Sequence, residues 1–522
     1  MKSKVNLRTG VRAVFERAED LFDAGFGGAN NPLRHLGALG FLLFWIVAIS
    51  GLYLYIVLDT GITQVYESVR ALSSDPRAPG GILRSMHRYG ADGFMLVMGL
   101  HLVREWAFGR SHGFRWYSWV SGVPLIWLAF ASGIGGYWIP WDRLAQFSAL
   151  ATAEWLDWLP LFGGAISRNF ASPGVLNDRF FTLLVFIHLG VPLLLLVALW
   201  AHVHRIGRVD HFPRRRLAIG TGLTLLLLAL IAPARLDAAA DLSIVPAEVA
   251  LDWFILFIHP LAYATSSATA WLFVAAVSVL LLVLPLLPHP ARQPVARVSP
   301  ANCNGCSRCF ADCPYAAVVM EPHPDKPGHK LARVIPELCA GCGICAGACP
   351  SSTPFRSVEE LVTGIDMPQQ PVDALRRELA ARLARLEAAP RAVVFGCTEA
   401  FDVRALEDAR TCAISLLCTG MLPPSLVEYA LRSGADGVLV TGCREGGCAF
   451  RLGNGWIGER LRGEREPHLR ASVPAQRLRV LWADARDGER LRAGLAEFRR
   501  DLDALGDAHR PRSIVRRIVH HG

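Results

Sequence analysis

The sequence predicts a multidomain protein: an all-α membrane bundle of six spans, then a small α+β domain, then a small α/β domain with a parallel sheet. Three observations predict it. The chain has 522 residues, 52% hydrophobic and only 19% charged, and its long uncharged runs all precede residue 292. All 13 cysteines lie between Cys303 and Cys448. Beyond residue 390, short β-branched runs alternate with helical patterns. This composition excludes a disordered chain.

Crossing the hydrocarbon core takes about 20 mainly apolar residues in a helix. Spans of that kind run over 36–58, 84–108, 116–141, 180–204, 217–234 and 268–287. The uncharged stretch 253–291 is too long for one helix; Pro260 and Thr265-Ser266-Ser267 divide it, leaving a short interfacial or re-entrant segment at 251–264. Residues 1–30 form a polar arm without the apolar core of a cleavable signal peptide. Basic residues gather in that arm (Lys2, Lys4, Arg8), after the second span (Arg110, Arg115) and after the fourth (Arg205, Arg208, Arg214). The opposite loops carry Asp237, Asp241 and Glu248. The positive-inside rule then places both termini and the cysteine-rich half in the cytoplasm, with the bundle in the inner membrane. Orientation accounts for the net charge of +9, so lipid and not nucleic acid is the implied partner.

Four histidines sit inside the spans: His87 and His101 in the second, His188 and His202 in the fourth. Each pair is 14 residues apart, about 3.9 turns, so its two rings share a helix face about 21 Å apart. Two such helices side by side offer two facing imidazole pairs, the arrangement that bis-histidine ligation of two haem irons needs. One histidine on an apolar face reads as a core residue; four at a duplicated spacing do not. His204 is an alternative partner that breaks the spacing, and His35, His259 and His289 have no matching partner.

Over residues 30–290 the chain resembles cytochrome b of the bc1 and b6f complexes. The likeness rests on Arg84-Ser85-Met86-His87, His101-Leu102-Val103-Arg104, the fourth-span pair, and Gly136-Tyr137-Trp138-Ile139-Pro140-Trp141. The intervals Gly37/Gly51 and Gly122/Gly136 also match, where missing side chains let a porphyrin approach or let helices pack closely. The resemblance implies that His87 with His188 holds an outer haem b and His101 with His202 an inner one. It also places Arg84 and Arg104 to pair with propionates, against snorkelling to the interface as the plainer reading. The family's outer quinol site uses a Pro-Glu-Trp-Tyr motif; here Val245-Pro246-Ala247-Glu248 is followed by Leu251-Asp252-Trp253-Phe254. Asp252 is thus either the proton acceptor of a quinone site or the neighbour of an interfacial Trp anchor.

Cys303, Cys306, Cys309 and Cys313-Pro314 are repeated as Cys339, Cys342, Cys345 and Cys349-Pro350. Clustered thiols on a cytoplasmic domain read as metal ligation and not as disulfides. This duplicated C-x2-C-x2-C-x3-C-P is the bacterial two-cluster ferredoxin run, in which the fourth cysteine ligates the other cluster. The ferredoxin resemblance covers 298–352. Cys303, Cys306, Cys309 and Cys349 would hold one [4Fe–4S] cluster, and Cys339, Cys342, Cys345 and Cys313 the second; zinc is the competing reading. Residues 356–388 read as a charged helical spacer. Strand signals follow at 392–395, 413–417, 438–441 and 479–482, and a helical pattern at 487–504. Cys397, Cys418, Cys443 and Cys448 fall at strand ends, where sites in open parallel sheets gather. With Gly442-Cys443, Gly447-Cys448 and Gly453-Asn454, residues 390–465 resemble the small iron–sulfur subunit of viologen-reducing hydrogenases, which implies a [2Fe–2S] cluster on those four thiolates. The family's first C-x2-C is here Cys397-Thr398-Glu399-Ala400, and Cys412 is either a substitute ligand or a buried free thiol.

The expected domains are the arm 1–30, a di-haem membrane domain 31–290, a ferredoxin domain 291–355, the spacer 356–389 and the hydrogenase-subunit-like domain 390–522. Together the resemblances imply the redox subunit of a membrane quinone oxidoreductase, not active alone and dimeric if it follows cytochrome b. It would exchange electrons between quinone and a cytoplasmic flavin-containing or heterodisulfide-reductase-like partner. The rival readings are the membrane anchor of a hydrogenase or formate dehydrogenase, and a haem and iron–sulfur redox sensor.

Overall fold

The structure is a computed structural model that describes residues 7–161, 166–168, 176–204, 211–244, 248–287, 294–356 and 358–506. Of the residues named above, Lys2, Lys4, Arg205, Arg208, Val245-Pro246-Ala247 and His289 lie outside these. The described residues fall into two compact units that divide near residue 290.

The first unit is built from helices: α1 (Leu7–Phe26), α2 (Leu36–Val57), α3 (Val65–Ser74), α4 (Pro79–Ala107), α5 (Trp116–Trp138), α6 (Arg143–Asp157), α7 (Asp178–His204), α8 (Arg215–Ile231), α9 (Ile258–Ala264) and α10 (Ser267–Val283). Local chemistry fixes several ends. Pro79 opens α4, where its missing N–H has no consequence. Asp142 caps α6 by accepting from the Ala145 N–H at 2.9 Å, and Ser266 caps α10 by accepting from Thr269 N–H at 3.1 Å.

Each of the six expected spans coincides with a helix. Four stretches, Pro32–Val57, Gly113–Trp138, Asp178–His204 and Ser267–Leu286, are long and apolar enough to cross a membrane. At 29 residues α4 has the length, but it carries Arg84, Arg88, Asp92 and Arg104; α8 has 17 residues. The segment before α10 forms only the seven-residue α9.

Within this unit α2 packs along α4 and α5 along α7. Leu43 and Phe44, Phe94 and Met95, Leu125 and Ala129, and Leu195 and Leu199 fill the space between these helices. Their outward faces are apolar too: Ile56, Phe186, Val197 and Trp200 are each exposed by more than half. A surface of that kind suits hydrocarbon and not water.

In the second unit, β1 (Arg297–Val298) pairs antiparallel with β4 (Ile365–Asp366), and β2 (Val318–Pro322) with β3 (Lys330–Val334). The short helices α11 (Arg308–Ala311) and α12 (Ile344–Gly347) follow the second cysteine of each repeat. A parallel sheet comes next, in the order β6 (Thr411–Leu416), β5 (Ala392–Cys397), β7 (Gly437–Val440), β8 (Leu478–Val480). Val394 on β5 lies opposite Ala413 on β6 and Leu439 on β7.

Side chains alternate across the strands. Val393, Phe395, Ile414 and Val438 face Leu375 and Leu379 of α13 (Val372–Leu383) and Leu426 of α14 (Pro424–Arg432). Val394, Ala413 and Leu439 face Leu491, Leu495 and Phe498 of α16 (Gly488–Leu505), and α15 (Gly453–Arg462) completes the unit. The four strands and the last helix fall where the sequence patterns put them.

The expected helix over 356–388 differs: among its described residues only Val372–Leu383 is helical. Gly364, Pro368 and Pro371 interrupt the stretch before it, and Ile365–Asp366 joins the sheet with β1 instead.

Candidate functional site

The antiparallel pair α2/α4 brings Gly51 to His87 and Gly37 to His101; the pair α5/α7 brings Gly136 to His188 and Gly122 to His202. A Cβ placed on Gly51 would stand 2.8 Å from His87 Cε1, and one on Gly136 3.0 Å from His188 Cε1. At Gly122 the distance to His202 Cε1 is 3.3 Å, and at Gly37 to His101 Cε1 it is 3.6 Å. Each imidazole therefore turns a ring edge to a facing helix where only a glycine, or at most a very small side chain, leaves room.

The same contact orients the rings. His87 Nδ1 bonds the Val47 carbonyl at 3.0 Å and lies 3.2 Å from Ser50 Oγ. His188 Nδ1 bonds the Ser132 carbonyl at 3.1 Å, and His202 Nδ1 lies 3.1 Å from Ser121 Oγ. Val47 and Ser132 each precede the facing glycine by four residues, so their carbonyls point along the helix toward the ring. An Nδ1–H fixed on a carbonyl leaves Nε2 as the lone-pair nitrogen, the tautomer a metal ligand needs. Across the bundle the His87 and His188 ring centroids are 6.4 Å apart. That fits one metal atom between two ring nitrogens at bond lengths of about 2 Å. His204 instead stacks on Trp200, centroids 4.9 Å apart, with its ring exposed.

Both arginines beside these histidines have protein partners. Arg84 donates to the Ala234 and Arg235 carbonyls at 2.6 and 2.8 Å. Arg104 is buried, donates to Glu19 Oε1 of α1 at 2.9 Å, and lies over the Phe108 ring.

Asp252 is the hub of a polar network in otherwise apolar surroundings. One carboxylate oxygen accepts from Arg88 and from the Tyr137 hydroxyl; the other accepts from the Phe254 and Ile255 N–H groups at 2.8 and 3.0 Å. Arg88 also donates to Asp92 and lies 5.0 Å from the Tyr137 ring centroid. Asp92 and Asp252 line a cleft of about 990 Å³, whose other walls include Leu43, Val97, Leu225 and Phe254. A large apolar cleft with a few convergent polar groups is the usual form of a small-molecule site.

In the second unit the repeat folds each cysteine loop alike. Gly305 and Gly341 take left-handed backbone angles, both at φ +68°, one residue before the second cysteine of their sets. Cys303, Cys306, Cys309 and Cys349 line one small cavity. Burial, then the neighbouring Cys349, Cys306 and Cys303 thiols, push the Cys309 thiol up to about 12. Cys345 is raised too, first by burial and then by Cys342, Cys313 and Cys339. The fourth cysteine of each repeat thus sits with the other repeat's three.

The C-terminal four come together as well: Cys418 and Cys443 thiols lie within hydrogen-bonding reach of both Cys397 and Cys448. Gly453 backs them, since a Cβ there would stand 2.2 Å from Cys418 Sγ and 3.4 Å from Cys448 Sγ. Cys412 is on β6, in register with Val393, and its charged neighbours are Arg382 and Glu407, not the other thiols.

The sets also form a row. The Cys309 thiol is close enough to Cys345, and the Cys448 thiol to Cys342, to act on its ionisation. Between the second and third sets, α12 packs on the turn Thr419–Met421, with room only for Gly347 beside the Gly420 carbonyl.

Compared with known proteins, residues 30–209 match the family model for cytochrome b/b6/petB, 302–353 that for a 4Fe-4S dicluster domain, and 397–506 that for the methyl-viologen-reducing hydrogenase delta subunit. The chain is 32% identical over 190 residues to the menaquinol:cytochrome c reductase cytochrome b subunit of Geobacillus thermodenitrificans, covering 34% of this chain and 83% of that one. It is 30% identical over 168 residues to the subunit of the same name from Bacillus subtilis (strain 168), covering 30% and 75%. A solved structure described as a hyperthermophilic respiratory Complex III aligns at TM-score 0.40 and 20% identity over 49% of this chain and 75% of that one.

Proposed function

Because the chain belongs to the cytochrome b family, we propose that it is the membrane electron-transfer subunit of a quinone-linked oxidoreductase. Residues 31–290 form its membrane domain of six spans, with the arm 1–30, the ferredoxin domain 291–355, the spacer 356–389 and the hydrogenase-subunit-like domain 390–522 in the cytoplasm. The observation that carries this reading is the meeting of four imidazoles with four glycines at one repeated spacing. His87 with His188 and His101 with His202 hold two b haems, Cys303, Cys306, Cys309 and Cys349 one [4Fe–4S] cluster, and Cys339, Cys342, Cys345 and Cys313 another. Cys397, Cys418, Cys443 and Cys448 hold a [2Fe–2S] cluster, leaving Cys412 as a packing thiol. When bound, these groups supply one-electron redox chemistry, which no side chain of this polypeptide provides.

The protein's own part is to hold, orient and insulate. Val47 and Ser132 fix ring tautomers, and the glycines admit the rings. Arg84 and Arg104 border the two sites, where propionates would share guanidinium protons with the carbonyls and the carboxylate now bound. Arg88 and Tyr137 hold Asp252 ionised at the cleft, ready to accept a proton released from quinol. The relatives named as menaquinol:cytochrome c reductase subunits support quinone as the membrane partner. The match to a hydrogenase delta subunit supports a flavin-containing or heterodisulfide-reductase-like protein as the cytoplasmic one. Transfer from the iron–sulfur side to quinone is the downhill direction, and in it Asp252 would work in reverse, passing a proton to the reduced quinone.

His101→Ala tests the ligand assignment. It should remove one b haem per chain and leave the iron and sulfide content of the cysteine sets unchanged; an unaltered haem-to-protein ratio would refute it.

A further inference from the structure

The most completely buried charged groups in the second unit are two guanidiniums, Arg460 and Arg477, each with no exposed surface. Arg477 donates to the backbone carbonyls of Asp436 and Gly506. Arg460 lies between two cysteine sets. It is on α15, the helix that begins at Gly453 against the Cys418 and Cys448 sulfurs. From there its Nη1 donates to the Gly420 carbonyl at 3.0 Å, two residues past Cys418. Its Nη2 donates to Asp312 Oδ2 at 2.6 Å, one residue before Cys313. A single side chain therefore ties the flank of the C-terminal set to the flank of the second ferredoxin-like set.

Asp312 is itself buried, and also accepts from Arg465 at 2.8 Å. Arg465 is in turn paired with Glu459, so the remaining ion pair turns its guanidinium toward the Cys418 turn, at the Gly420 carbonyl, and its carboxylate toward the Cys313 loop. Cys418 lies within electrostatic reach of that guanidinium. Burying an ion group is expensive, and an apolar residue of similar volume commonly fills such a space at least as well. A charge retained here acts on what lies beside it, strongly so in a low-dielectric interior.

We infer that Arg460 is a positioning residue of the electron route: it fixes the Cys418 turn against the Cys313 loop, and its charge raises the reduction potential of the centre held by the C-terminal cysteines. One-electron reduction adds one negative charge to such a centre and neither makes nor breaks a bond, so a fixed neighbouring cation favours the reduced form. The inference rests on the proposed function only in taking these thiolates as iron–sulfur ligands.

The test is a potentiometric titration of the full-length protein followed by electron paramagnetic resonance, with iron and sulfide counted in each sample. Arg460→Met should lower the midpoint of the C-terminal centre by about 59 mV, a tenfold change in the ratio of reduced to oxidised form for one electron. Arg460→Lys, which keeps the charge, should restore most of that shift. Asp312→Asn removes the neighbouring negative charge and should move the potential of the Cys313-containing centre upward. A purely structural role moves none of these midpoints with opposite signs. Unmoved midpoints in Arg460→Met at full iron content overturn the inference. If that variant loses iron, an unmoved midpoint in Asp312→Asn overturns it. Absence of any iron–sulfur signal from the unaltered protein overturns the cluster assignment itself and the inference with it.

Discussion

The glycine contacts make a graded prediction. Alanine at Gly51 places a methyl carbon 2.8 Å from His87 Cε1, whereas alanine at Gly37 places one 3.6 Å from His101 Cε1, an ordinary contact. At Gly51 the ring must retreat by more than half an ångström, and it is not free to do so. Its Nδ1 is held by the Val47 carbonyl at 3.0 Å and lies 3.2 Å from Ser50 Oγ. Overpacking of this kind costs about 1–3 kcal/mol, and each hydrogen bond sacrificed to relieve it costs about 1 kcal/mol more. The helix gains at most about 1 kcal/mol when glycine becomes alanine. Gly51→Ala should therefore be destabilising by about 1–3 kcal/mol and should deplete one haem, while Gly37→Ala should be neutral or stabilising by up to about 1 kcal/mol and keep both haems. Gly136→Ala, at 3.0 Å, should behave like Gly51→Ala. The assay is the pyridine haemochrome ratio of haem to protein in detergent-purified material, with thermal melting in parallel. Equal haem loss from Gly51→Ala and Gly37→Ala, or none from either, would refute the reasoning.

The other predictions concern the cleft and the C-terminal thiols. Asp252→Asn should slow quinol-driven haem reduction by about a hundredfold or more at unchanged haem content, the size of a lost general base; rapid-mixing absorbance measures it, and an unaltered rate would assign Asp252 to anchoring. Gly453→Val places side-chain carbon where Cys418 Sγ lies, and should strip iron from the C-terminal set while the eight ferredoxin-like cysteines keep theirs. Cys412→Ser should leave the iron content of that set intact, because the residue packs by Val393 in the sheet core; lost iron would make it a ligand.

Patterns that depend only on spacing along the chain are legible in the sequence. Uncharged runs of helical length mark the spans, a 14-residue interval marks the imidazole pairs, and the duplicated cysteine run marks its two sets. Contacts between distant segments are less so. That Arg104 meets Glu19 of α1, and Arg84 the carbonyls after α8, depends on helix packing over 85 to 151 residues of separation. The Nδ1 acceptors leave a trace: Ser50-Gly51 and Ser121-Gly122 repeat a serine just before the glycine, and both serines reach the opposing ring. Gly135, also close to His188, adds to the same signal. The stretch 356–388 suggests one long helix because its charge pattern outweighs Gly364, Pro368 and Pro371, which stop a helix whatever the charges beside them. Arg460 carries no sequence signal at all; a charged residue on a short helix looks like solvated surface until its partners are known.

The most direct measurement is made on the intact purified chain under anaerobic conditions. Electrons are supplied to the cysteine-rich half by a low-potential protein donor, and the haem absorbance is followed with the iron–sulfur signal. Two low-spin b haems per chain should become reduced after the iron–sulfur centres do. Reduced iron–sulfur centres beside a haem spectrum that never changes, or a chain that carries no low-spin haem, would contradict it.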